Sequence, residues 1–154
     1  MTTKPTSPAL DPAGVTPVTG SNYPGKFKPR VAGRSKQKLG DALGLKNFGV
    51  NLTTIKPGAA SALRHWHSSE DEFVFILNGE LVLVTDAGEQ TLTAGMAAGF
   101  PAGKADGHKL VNRSTADAVY PQIHLVKLRR LGEDLLADPD KLDAVFPLSD
   151  TTID

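Results

Sequence analysis

Residues 58–79 read GAASALRHWHSSEDEFVFILNG: two histidines one residue apart, three acids, an apolar run and a closing Asn-Gly. In an extended chain residues two apart share a face, so His65 and His67 turn both imidazoles to one side and Arg64 and Trp66 to the other. Burying such polar groups without partners costs about 2–7 kcal/mol each, so the cluster either stays wet or is satisfied by something it binds. A metal ion is the obvious candidate. Glu72 opens the next run and shares a face with Val74 and Ile76. A hairpin-like pairing is expected to bring its carboxylate beside the histidines. A fourth ligand can come from any neighbouring strand, and His108 at the head of HKLVN is the best placed.

The surrounding chain has the period of a β-protein. Phe48, Val50 and Leu52 alternate with Gly49, Asn51 and Thr53, and EFVFIL and ELVLV flank Asn78-Gly79 as a hairpin signal would require. TDAG at 85–88 reads as a second hairpin turn, TLTAGMAAGFPAG as short strands broken by glycines, and HKLVN and VYPQIHLVKL as two further strands. Many short strands with regular turns predict an all-β barrel or sandwich. In the last strand Tyr120, Gln122 and His124 fall on the face opposite Val119, Ile123 and Leu125. Gln122 and His124 are therefore candidates for a substrate-facing role at a barrel mouth. Glu70 and Asp71 read as charges on a solvated turn, Gly79, Gly95 and Gly103 as backbone geometry, and Asn112 as a strand-end hydrogen bond.

Composition bounds the rest. A chain of 154 residues, 40% apolar and 22% charged, suits a single domain that buries roughly two thirds of its unfolded surface. The formal net charge of zero supplies no overall field for nucleic acid or membrane. Charge is uneven locally: Lys26, Lys28, Arg30, Arg34, Lys36 and Lys38 run without an acid, whereas Glu133 to Asp154 holds seven acids against Lys141. With no cysteine, disulfides and thiolate ligands are excluded, leaving His and carboxylate as metal donors. Neither a membrane-length apolar run nor a signal-peptide core is present, so a cytoplasmic protein is expected. The segment to about Gly25 is rich in Pro, Thr, Ser and Gly and is expected to be extended, ordered by the barrel surface or by a partner subunit. Residues 1–43 are thus read as an extended arm, 44–130 as the barrel, and 131–154 as an acidic segment forming a short helix or an extended tail.

The two clusters together resemble the cupins. Their first motif matches Gly58, six residues, His65-Trp66-His67, four residues, Glu72, six residues and Gly79; the second matches Gly95, MAAGF, Pro101-Ala102-Gly103, KADG, His108, KLV and Asn112. The spacer before His65 is one residue longer than usual, and four residues rather than two separate Gly103 from His108; both lengthen loops. The resemblance, over about residues 44–130, implies a jelly-roll β-barrel with one divalent ion (Fe, Mn, Ni, Cu or Zn) on His65, His67, Glu72 and His108. Within the superfamily the chain looks like the small single-domain bacterial cupins called sugar-phosphate-isomerase-like. The larger phosphomannose isomerases share the barrel, but the sequence displays no evident cluster of interior Lys or Arg for a phosphate.

Three function classes follow. One is a metal-dependent oxygenase or isomerase acting on a small molecule inside the barrel, with His124 as proton carrier. A second is a sensor holding a small metabolite without turnover, and a third a metal-free structural dimer. DNA reading is not expected, because the first 45 residues carry no paired helices. A homodimer is expected because EFVFIL and ELVLV are apolar on both faces, more than one barrel interior covers.

Overall fold

The computed structural model describes residues 7–125. Among these residues nine strands, β1 (Val18–Thr19), β2 (Arg34–Lys38), β3 (Phe48–Ile55), β4 (Glu72–Phe75), β5 (Glu80–Thr85), β6 (Gly88–Thr93), β7 (Ala97–Phe100), β8 (Lys109–Val111) and β9 (Ala118–Leu125), form two antiparallel sheets. The larger has the order β1-β2-β3-β9-β4-β7 and the smaller β6-β5-β8. A short helix α1 (Leu39–Leu43) links β2 to β3, closed by Gly44 at φ 74°. The expected all-β jelly roll is the fold, formed as a two-sheet sandwich.

Its core lies between the sheets, where Ile55, Val74, Ile76, Leu81, Leu83, Leu92, Leu110, Ala118 and Tyr120 pack together. On β3 the buried residues are Thr53 and Ile55, so Asn51, Thr53 and Ile55 form the inward face. Phe48, Val50 and Leu52 consequently lie on the outward face.

The expected pairing of EFVFIL with ELVLV does not occur. β4 pairs with β7 and β9, and β5 pairs with β6 and β8, so Asn78-Gly79 is a crossing between sheets rather than a hairpin turn. Asn78 bridges Val119, and Gly79, at φ 80°, presses on the chain before β9: a Cβ there would sit 2.7 Å from the Asp117 carbonyl oxygen. Both facts demand glycine. Gly79→Ala is expected to lower stability by about 2 kcal/mol, from the left-handed backbone and the clash together, measured by urea unfolding. An unchanged midpoint would refute this account of the crossing. The TDAG hairpin does form, with Thr85 opposite Gly88.

The segment before residue 44 contributes more than an extended arm. β2 pairs along its length with β3, and β1 pairs with β2, so this part of the chain extends the larger sheet of its own barrel. Gln37 ties the preceding turn down by donating to the carbonyls of Pro12 (2.6 Å) and Val15 (3.0 Å). The acidic segment 131–154 lies outside the described residues.

Candidate metal centre

His65 and His67 do not sit on a regular strand. His65 makes an isolated bridge to His108, with His108 N–H donating to the His65 carbonyl (2.8 Å) and the reverse bond at 3.2 Å. Glu72 arrives from the larger sheet as the first residue of β4, and thus approaches the histidines from across the cavity instead of through a hairpin. The outcome is the convergence expected from the sequence: Glu72 Oε2 lies 3.2 Å from His67 Nε2 and 3.2 Å from His108 Nε2. Donor atoms of His65, His67 and Glu72 all fall within 4.8 Å of one another, and His108 joins them through the shared Glu72 oxygen.

Each member of the cluster is braced from behind. Nδ1–H of His65 donates to the Leu63 carbonyl (2.7 Å), so Nε2 is the atom that would coordinate an ion. Phe100 stacks flat on His108, with ring centroids 3.5 Å apart and planes 4° apart. Glu70 approaches His67 Nδ1 to 3.9 Å, and Asp71 accepts the Ala102 N–H (2.8 Å), so these two acids, read as solvated turn charges, hold the loops of the site. Gln122 Nε2 donates to Glu72 Oε1 (2.8 Å). Asn112 is fully buried and closes the loop after β8, donating to the carbonyls of Ile55 and Ala116, both at 2.8 Å.

Electrostatics favour the ligating forms of His65 and Glu72. Burial pushes the His65 imidazole down to about 4, so it is neutral at pH 7. Burial alone would raise Glu72, but hydrogen bonds from His108 and His67 hold it well below the carboxylate range and therefore ionised. The same Glu72 bond raises His67. Ligand atoms bonded to one ion at about 2.1 Å in adjacent octahedral positions lie about 3 Å apart, close to the two 3.2 Å edges at Glu72. His65, His67 and Glu72 are the mutually close set, with His108 beside Glu72, and imidazole and carboxylate donors of this kind suit a divalent transition ion.

The cluster lies in a cavity of about 310 Å³ between the sheets. Tyr120, Gln122 and His124 line it, as the alternation along β9 predicts. Of these, Gln122 is engaged with Glu72 through its amide N–H. His124 sits opposite Glu72 in the β4–β9 register, its ring so close to Gly49 that a Cβ there would lie 2.4 Å from it. Trp66 borders a smaller cavity together with His67, Phe100, Pro101 and His108. Arg64 is bound by Asp86, Asp106 and the Gly107 carbonyl.

The cavity also contains residues that sequence reasoning missed. Tyr23, Arg34 and Lys36 line it, so interior cations are present after all. They come from β2, within the segment taken for an arm. Their alternation with Ser35 and Gln37 was the available signal: Arg34 and Lys36 share one face of a strand. Lys36 Nζ donates to Gln122 Oε1 (3.4 Å), and burial, followed by the neighbouring Arg34 charge, pushes its ammonium down to about 8.

Comparison with known proteins agrees with this architecture. The cupin domain family model matches residues 51–126. A sugar phosphate isomerase of the cupin superfamily from Silicibacter pomeroyi superposes with a TM-score of 0.75 at 46% identity, over 76% of this chain and 74% of that one. A putative sugar phosphate isomerase from Acidithiobacillus ferrooxidans superposes with a TM-score of 0.62 at 30% identity, covering 70% and 68%. A polyketide cyclase from Streptomyces resistomycificus shares the fold at 16% identity (TM-score 0.64, 77% and 79% covered). Among curated proteins none matches the chain. The fold and the braced His/His/Glu cluster define a small β-sandwich with a candidate metal centre. The chain belongs to the cupin superfamily.

Proposed function

We propose that the protein is a metal-dependent cupin enzyme acting on a small molecule inside the sandwich, with isomerase-type proton transfer as the favoured chemistry. The observation that carries this reading is the meeting of His67 and His108 on one oxygen of Glu72, beside His65, in a cavity of about 310 Å³. That volume is near the lower end for ligand sites and suits a metabolite of few carbons. His65, His67, Glu72 and His108 would hold the ion, which when bound supplies a Lewis acid for a carbonyl or hydroxyl oxygen. Gln122 keeps the Glu72 carboxylate oriented, Phe100 keeps the His108 ring in place, and His124 is the group assigned to carry a proton across the cavity. The isomerase preference draws on the two relatives above, whose names carry that activity. Oxygenase-type chemistry is the alternative at the same centre.

Protein loaded separately with Fe, Mn, Ni and Zn and offered hydroxy acids, keto-enols, catechols and sugar phosphates is expected to turn over at least one class, with a rate that depends on the ion. Product would be followed by mass and oxygen by electrode. Metal-dependent binding without product across every combination would replace the enzyme with a metabolite sensor.

The assembly we propose is a homodimer through the outward face of the larger sheet. Phe48 (42% exposed), Phe73 (42%) and Ile123 (37%) lie there, with Val50 and Phe73 each opposite Ile123 in register. A row of apolar side chains across three strands has no charge to match and is self-complementary, which suits a two-fold contact. Phe73→Glu combined with Ile123→Glu is expected to convert dimer to monomer in sedimentation. A wild-type chain that sediments as a monomer at micromolar concentration would dismiss the dimer.

A further inference from the structure

The cavity has two chemically distinct walls. One holds the His/His/Glu cluster, and the other is formed by Arg34 and Lys36 on β2 with the Tyr23 side chain beside them. Among the described residues no carboxylate lies within ion-pair distance of Arg34 or Lys36. Arg34 donates to the carbonyls of Ser61 and Gly20, and Lys36 donates to the amide oxygen of Gln122. Those acceptors are neutral. A serine, glutamine or asparagine would serve them without the cost of drawing two like charges into a partly buried wall. Stability alone therefore gives no reason for two cations here.

The charge balance of the cavity points the same way. Arg34 and Lys36 offset Glu70 and Glu72, so a divalent ion at the cluster leaves an uncompensated positive charge inside a lined space. An anion is what such a space takes up, and it gains charge-assisted hydrogen bonds from a guanidinium and an ammonium side by side. The two walls are also connected: Lys36 reaches Gln122, and Gln122 reaches Glu72, so two hydrogen bonds and one amide span the distance.

We infer that Arg34 and Lys36 form an anion subsite that receives the carboxylate or phosphoryl group of the substrate while the other end of that molecule meets the His65, His67, Glu72 and His108 cluster. This rests on the proposed metal-dependent reading and narrows it to a short-chain acid or phosphate ester. Gln122 links the subsite to the centre, and a bound anion draws the Lys36 ammonium away from the Gln122 amide.

Calorimetric titration of Mn-loaded protein with matched pairs tests the subsite: dihydroxyacetone phosphate against dihydroxyacetone, and glycerate against glycerol. The acid member is expected to bind at least about tenfold more tightly. The pair with the larger ratio distinguishes phosphoryl from carboxylate. Lys36→Met keeps the buried stem and removes the charge; it is expected to bring the ratio within about threefold while metal content and circular dichroism stay unchanged. Equal affinities in the wild type overturn the subsite, as does an acid preference that survives undiminished in Lys36→Met. A protein that takes up no metal overturns the metal reading instead. The same titration on metal-free protein then decides the subsite by the same ratios. Because the wild-type ratio needs no variant, instability of the Lys36→Met protein would leave that ratio as the test.

Discussion

Purified His67→Ala and Glu72→Gln proteins are expected to carry almost no metal and to remain folded. Glu72 offers one oxygen to two imidazoles at 3.2 Å each, so removing its charge takes the only anionic donor from the cluster of four. His67 contributes one of those imidazoles from a loop rather than from a paired strand. Loss of a residue that merely orients a ligand costs about 10–100-fold in metal affinity, so loss of a ligand costs at least about 100-fold. The sheets do not depend on the ion for their pairing, and Ile55, Val74, Ile76, Leu81 and Leu92 pack the interior independently of the cluster. Their fold therefore survives, unlike that of a small domain organised by zinc. Elemental analysis reads the metal directly. Thermal melts with and without chelator give a second reading: the wild type is expected to lose about 2.7 kcal/mol if its ion was present at a hundred times Kd, and the variants nothing. Stoichiometric metal in both variants would place the centre elsewhere.

That the candidate cluster could be read from the sequence has a physical basis. A metal site imposes residue types that β-strands otherwise avoid in their interior, and His65, His67, Glu72 and His108 interrupt apolar alternation in a way few other demands produce. The strands were legible for the complementary reason, since Phe48 to Thr53 and Val119 to Leu125 alternate with a period of two. Which sheet each strand joins was not. Asn78-Gly79 has the residues of a tight turn, yet the same dipeptide serves a crossing in which Gly79 is required by its backbone angle and by the Asp117 carbonyl at its side. Local chemistry alone does not separate the two, because the partner that decides the matter lies some forty residues away, on β9. Lys36 and Arg34 were concealed differently. A strand reading RSKQK has no apolar residue to mark its buried face, so inward cations look like those of a solvated arm.

The buried ammonium of Lys36 gives the second large effect, and its sign can be worked out. Burial, together with Arg34 on the same strand and more weakly Lys38, pushes Lys36 from 10.5 down to about 8, while Glu72 on the same sheet opposes the shift. Below about pH 8 the group is charged in both folded and unfolded chains, and the full cost of desolvating it falls on the folded state. Between about 8 and 10.5 the unfolded chain holds the proton that the folded chain has released, so stability rises with pH. Above 10.5 both forms are neutral and the cost has gone. Lys36→Met is therefore expected to be more stable than the wild type at pH 7 by about 2 kcal/mol, less than the full shift implies because Gln122 loses a donor, and the gap should narrow as the pH approaches 10. Urea unfolding of the two proteins at pH 7, 8.5 and 9.5 measures it. An anion held by Arg34 and Lys36 compensates the same charge, so saturating phosphate or glycerate should narrow the gap at pH 7 as well. A gap that is absent at pH 7, or that widens with pH, would show that Lys36 is not paying a desolvation cost in the folded protein.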